Sequence, residues 1–190
     1  LSVDRQQLII EAATRSFTQF GYKATTMDQV ARLANVGKGT IYTFYKNKEE
    51  LFDEIIVSLL KEMRTEAEEA IDPNLPFFEN VHLALYRLLQ FRKKHQLMIK
   101  IFQESSEMGT PAVKEVVQKV EEMILAYMKQ KVIEAMDKGE IKQCDPEITA
   151  FIMFKLYISL IFDWEKHHPP LEKEKIAELF ELYFLKGLLK

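Results

Sequence analysis

The sequence predicts an all-α protein, and three observations predict it. Apolar residues recur at three- and four-residue steps through nearly the whole chain, the period of helices with a buried face. The breaks between these runs carry helix-capping residues. Six glycines and six prolines in 190 residues are too few for the turns of a many-stranded β protein. A 47% hydrophobic content fills a core and excludes a wholly disordered chain, and collagen-like or low-complexity readings go with it. The length suits one ordinary domain or a small head on a larger body.

Nine helices follow in order, shorter ones first. Leu8, Ile9, Ala12, Ala13, Phe17 and Phe20 form the first apolar stripe, with Gly21 as its stop. Thr26-Met27-Asp28-Gln29 is a capping box that opens a short helix with Val30, Ala31 and Ala34 inward. Asn35-Val36-Gly37 breaks it, and Asn35 sits where the turn needs a left-handed residue. Lys38 to Tyr45 forms the third helix, with Ile41 and Tyr45 on one face. Asn47-Lys48-Glu49-Glu50 is a second capping box and starts a long helix to about Ile71. Past Pro73 and Pro76 the pattern is helical through about Lys94, then from Leu97 to Glu107. Thr110-Pro111 and Asp145-Pro146 each pair an N-cap with a proline at the first helical position. They open helices to Lys138, ended by Gly139, and to about Lys166, ended by His167-His168-Pro169-Pro170. A last helix runs from about Leu171 to Leu189, and no segment repeats.

Charge is unevenly placed. Residues 1–48 hold seven basic side chains against three acids, a net +4, which leaves −7 for the rest of a chain whose total is −3. A basic head on an acidic body suits a polyanion at the head, though a solvated surface has the same count. The lone Cys144 cannot form an internal disulfide and suits a reducing cytosol. Leu1-Ser2-Val3-Asp4 lacks the pattern of a signal peptide. The longest apolar stretch, near Phe151 to Trp164, is broken by Lys155 and Asp163, so no membrane span is expected. The reading expects a cytoplasmic protein.

The second and third helices have the size and turn length of a helix-turn-helix, over about residues 26–45. In that motif the second helix enters the major groove and the first braces it across the backbone. The outward face offers Lys38, Thr40, Tyr42 and Thr43, all partners for phosphates or base edges. Spacing alone fits a generic three-helix core under a bundle equally well.

Gly21, Thr25-Thr26-Met27, Val30-Ala31, Ala34, Val36, Gly39-Thr40-Ile41-Tyr42 and Lys46-Asn47-Lys48-Glu49-Glu50-Leu51 together resemble the amino-terminal domain of TetR-family transcriptional regulators, over about residues 8–52. The remainder resembles that family in architecture only. The resemblance implies a helix-turn-helix DNA-binding domain over 1–48 and a helical effector-binding and dimerisation domain over 49–190. It implies that Thr26 caps its helix and sets N–H groups on a phosphate. It further implies that Lys38, Gly39, Thr40 and Thr43 face base edges, and that Tyr42 and Lys48 hold phosphates. Two residues depart from the family pattern. Gly37 stands where Ser or Thr is usual, which weakens the N-cap, and Phe44 lacks the polar tip of the usual Tyr or His.

Other chemistries find little support. Gly37-Lys38-Gly39-Thr40 fails as a phosphate loop, because the upstream glycine is missing and Gly39 occupies the Ser/Thr slot. His82, His95, His167 and His168 lack partners at metal-ligand spacing. The acidic pairs Glu49-Glu50, Glu68-Glu69 and Glu121-Glu122 split across helix faces. Neither an enzyme, a metal site nor a cofactor is expected.

The body is read for assembly and ligand. In the helix from Pro146, Lys155, Ser159 and Asp163 form one narrow polar stripe and nearly all else is large and apolar, so two sides must be covered. With the apolar last helix, this fits a well-buried central helix in a monomer or a homodimer face, and the resemblance favours the homodimer face, with Phe162, Leu179 and Tyr183 in it. Phe78, His82 and Tyr86 share one face, with Phe102, Met123 and Tyr127 on later helices; such a stripe is more often plain core, and only the resemblance makes it a candidate cavity for a largely apolar small-molecule effector. The expected function is a dimeric repressor on a palindromic double-stranded operator, released by that effector. A helical ligand-carrier or interaction protein is the alternative.

Overall fold

The computed structural model describes residues 4–188, leaving aside the side chains of Arg92, Glu107 and Met108. The opening tripeptide and the expected helix end at Leu189 lie outside the described residues. Among those described, nine helices form and no strand does: α1 (Arg5–Ala24), α2 (Met27–Leu33), α3 (Lys38–Phe44), α4 (Lys48–Glu69), α5 (Phe77–Lys94), α6 (Gln96–Met108), α7 (Pro111–Asp137), α8 (Pro146–Ile158) and α9 (Lys173–Phe180). Helix α8 runs on through a wider π turn at Ser159–Asp163 and a 3-10 turn at Trp164–Lys166. Helix α9 continues through Glu181–Leu185 to Lys186–Leu188.

The caps sit where the sequence puts them. The Thr26 hydroxyl accepts from Gln29 N at 3.2 Å, and Asn47 Oδ1 accepts from Glu50 N at 2.8 Å. The Glu50 carboxylate in turn takes Lys46 N at 2.8 Å. Asp145 accepts from Glu147 N and Ile148 N at 2.9 and 3.0 Å. At the end of α7, Gly139 has φ 70°, and Gly139 N and Glu140 N reach back to Met136 O and Ala135 O. That is a Schellman close, which glycine adopts without a Cβ penalty. Asn35 takes φ 53°, as the turn requires. Gly21 acts differently from a simple stop: it breaks α1 at φ 80°, and one more turn follows to Ala24.

Contacts gather the chain into two compact units, and their division differs from a boundary at 48/49. One unit comprises residues up to Glu62 with Lys94–Gln118. The other comprises Met63–Lys93 with the residues from Lys119 onward. The first half of α4 belongs to the head because Leu51 and Phe52 are buried there. Phe52 meets the Phe17 and Tyr22 rings at centroid distances of 4.9 and 4.7 Å. In the second unit, Leu85, Leu89, Ile161, Ile176, Ala177 and Phe180 make one apolar cluster. Val132, Ala135, Ile141, Met153, Phe184 and Leu185 make another. Among the described residues no helix is long and apolar enough to cross a membrane.

Candidate DNA-binding interface

Helix α3 is held by one face. Ile41 and Tyr45 are fully buried, with Val30 and Ala31 of α2 buried in the same unit. Burial also pushes the Tyr45 phenol up to about 12. At 100° per residue, Gly39 and Thr43 then lie opposite the buried pair, flanked by Tyr42 and Thr40. Lys38, Gly39, Tyr42 and Thr43 are exposed and Thr40 is half-buried. Thr26 stands exposed as the cap of α2.

The details of this face matter. A Cβ built on Gly39 meets nothing within 4 Å, so neither packing nor a left-handed backbone asks for glycine there. The Thr43 hydroxyl donates to Thr40 O at 2.7 Å. Lys38 Nζ lies 2.9 Å from Asp28, whose carboxylate raises the pKa of the ammonium. Gly37 caps α3 without a side-chain bond, and Phe44 is exposed with an apolar ring.

Lys48 requires a correction. Its Nζ donates to Tyr22 O at 2.8 Å and Thr25 O at 3.0 Å, and stands 4.2 Å over the Tyr22 ring. Two of its three donors therefore close the end of α1, where carbonyls lack helical partners, instead of facing outward as a phosphate contact implies. Burial lowers its pKa accordingly. The same corner holds two residues that the sequence did not single out. Tyr22 donates its hydroxyl to Glu49 at 2.6 Å, and this bond is the main cause holding the Glu49 carboxyl low. Glu104 of α6 accepts from Tyr22 N at 2.8 Å and from Lys23 N at 3.4 Å, N–H groups released by the break at Gly21. Gly21 and the capping box with Lys48 and Glu49 signal this corner in the sequence; Glu104 carries no such signal.

Comparison with known proteins completes the assignment. Residues 9–55 match the family model described as bacterial regulatory proteins, tetR family. Residues 75–188 match that of the tetracyclin repressor-like C-terminal domain. The HTH-type transcriptional regulator YhgD of Bacillus subtilis is 69% identical over 188 residues, covering 99% of this chain and 98% of the relative. This chain belongs to the tetR family of bacterial regulatory proteins. It is a helix-turn-helix transcriptional regulator, and α2 and α3 are its motif. Two solved structures share its fold at low identity. A SmeT–triclosan complex aligns with TM-score 0.79 at 18% identity, covering 98% of this chain and 92% of that one. The regulator FadR from Bacillus subtilis in complex with stearoyl-CoA aligns at 0.77 and 19%, covering 91% and 96%.

In this tetR-family chain the expected effector residues separate. His82 and Tyr127 are half-buried in the second unit, and His82 Nε2 and the Tyr127 hydroxyl are buried without a hydrogen-bond partner. Arg64 and Lys131 stand 5.3 and 5.6 Å from the Tyr127 ring centre. Phe78 packs against the cluster of Val132 and Leu185, and Tyr86 against that of Leu85 and Phe180. Phe102 is half-buried on α6 in the first unit. Met123 is a correction: it is 49% exposed, at the edge of the buried stripe of α7, and lines no interior of its own unit.

The expected dimer residues divide as well. Tyr183 is 72% exposed. Leu179 is half-buried, and Phe162 packs into the chain's own cluster around Ile161, on the inner side of α8. The uncovered apolar residues are instead Ile148, Phe151 and Ile152 on α8 and Leu182 beside Tyr183. Ile148, Phe151 and Ile152 continue the stripe of Lys155, Ser159 and Asp163 at helical spacing, so the apolar half of that stripe is legible in the sequence as a period. Lys155 pairs with Glu121 of its own chain and lies 5.3 Å from the Phe151 and Phe154 ring centres.

Proposed function

We propose that this regulator is a cytoplasmic homodimeric repressor that occupies a palindromic operator and leaves it when a largely apolar small molecule binds within the second unit. The unpartnered buried atoms of His82 and Tyr127 carry the ligand part of this reading. A buried polar group without a partner costs about 1–3 kcal/mol, which a ligand that brings a matching hydrogen-bonding group recovers. Phe78 and Tyr86 of the same unit pack into its apolar clusters while Arg64 and Lys131 flank the Tyr127 ring, and a small-molecule site combines such apolar surface with a few polar groups. Triclosan and stearoyl-CoA in the two structural neighbours are both apolar bodies with polar groups, which supports the class.

The exposed apolar residues Ile148, Phe151 and Ile152 of α8, together with Leu182 and Tyr183, support a second copy as their cover. A single helix-turn-helix makes few base contacts, and two-fold symmetry supplies a second half-site roughly 34–36 Å away. An effector that favours another head spacing by ~1–3 kcal/mol then releases the operator, with no reaction catalysed. The test selects duplexes from random DNA with the full chain, then titrates the bound operator with triclosan and stearoyl-CoA. Release by either probe that His82→Ala or Tyr127→Phe weakens supports the site. Release equal in native and both variants places the effector elsewhere.

A further inference from the structure

The outward face of α3 carries few groups able to donate a hydrogen bond at its centre. Gly39 has no side chain, and the space above it is open. One turn on, Thr43 is exposed, but its single hydroxyl proton is already donated to Thr40 O at 2.7 Å. A hydroxyl has one proton, so what Thr43 still presents is acceptor lone pairs and the Cγ2 methyl. With the hydroxyl committed to the preceding turn, the methyl is the apolar branch that an exposed Thr43 has left to offer. The strongest donor of the helix, Lys38, is held to its flank by Asp28.

In the major groove, guanine presents only acceptors and calls for a donor, whereas thymine presents a 5-methyl group that apolar atoms contact. From this inventory we infer that Thr43 is a specificity-determining residue that reads a thymine through its methyl group, with its hydroxyl committed inside the helix. The bare backbone at Gly39 lets the helix sit deep enough for that short methyl to reach the base. The inference rests on α3 being the recognition helix.

The test uses the full chain and the operator it selects from random duplexes. Native protein, Thr43→Val and Thr43→Ser are compared on that operator and on copies with single thymines replaced by deoxyuridine, which removes only the 5-methyl group. At one position per half-site, deoxyuridine lowers native affinity by about fourfold, the worth of one buried methyl group. Valine keeps that methyl, so Thr43→Val binds the operator more tightly than Thr43→Ser does. It also keeps the thymine preference. Thr43→Ser lacks the methyl, binds more weakly, and treats thymine and deoxyuridine alike. Thermal melts of all three proteins separate folding from recognition. The inference is overturned if Thr43→Ser matches the native protein while Thr43→Val loses the operator, since the hydroxyl is then the reading group. It is equally overturned if every deoxyuridine copy affects the native protein and Thr43→Ser alike. A native chain that selects no duplex refutes the recognition-helix assignment itself, a result distinct from either.

Discussion

Replacing Gly39 with alanine separates the stability of the recognition helix from its use. Glycine inside a helix destabilises by about 0.5–1 kcal/mol relative to alanine, because the unfolded chain loses more freedom on ordering. The added Cβ meets nothing within 4 Å, so no steric term offsets that gain. Position 39 lies in the first turn of a seven-residue helix, which puts the expected gain at the low end. In a domain of this size it raises the melting temperature by about 2 °C. With α3 as the recognition helix, the same methyl is expected to face the groove floor and hold the helix away from it. A disrupted base contact is worth about 1–3 kcal/mol, or roughly 5–150-fold in operator affinity. Differential scanning fluorimetry and fluorescence anisotropy on the selected operator measure the two effects on one sample. A variant that melts higher and binds within twofold of native shows that the helix never comes so close. One that melts lower shows that the open space above Gly39 is filled in solution.

Four further outcomes follow from the same geometry. Gly21→Ala sets a Cβ 2.8 Å from Glu104 Oε2 at a backbone φ of 80°, so it is expected to lower stability by more than about 1 kcal/mol in urea titration; an unchanged midpoint refutes the corner as strained. Lys48→Met leaves Tyr22 O and Thr25 O without their donor and is expected to destabilise by about 1–3 kcal/mol; a lone phosphate contact would leave the melt unmoved and change only the salt slope of binding. Tyr45 has its pKa raised in the folded state, so its contribution is complete below the unfolded value near 10 and fades as pH climbs toward about 12. Urea midpoints measured from pH 9 to 11.5 should fall more steeply for native protein than for Tyr45→Phe, and equal slopes refute this. Phe151→Asp places a charge on the uncovered apolar face and should convert a dimer to monomer in sedimentation at micromolar concentration, at a cost of several kcal/mol, without lowering the monomer's helical content. A dimer that persists puts the contact elsewhere.

What the sequence determined by itself is local. Caps such as Thr26, Asn47 and Asp145, the left-handed Asn35 and the Gly139 close each involve partners within about five positions, and such pairs are visible as spacing. The long string of residues from Gly21 to Leu51 likewise carried the family. The tertiary structure decided the pairings that spacing does not encode. Lys48 reads as a basic residue at a helix start, free for phosphate, until α1 ends against it and offers two bare carbonyls. Glu104 lies 82 positions from the Tyr22 N–H that it accepts, and nothing in its own neighbourhood marks it. On α8 a helix apolar nearly all round cannot announce which side its own chain covers. Packing turned Phe162 inward and left Ile148, Phe151 and Ile152 bare. Helical periodicity ranks residues around one axis, whereas burial depends on which neighbouring helix arrives at each face, and that is set by contacts between segments far apart in the chain.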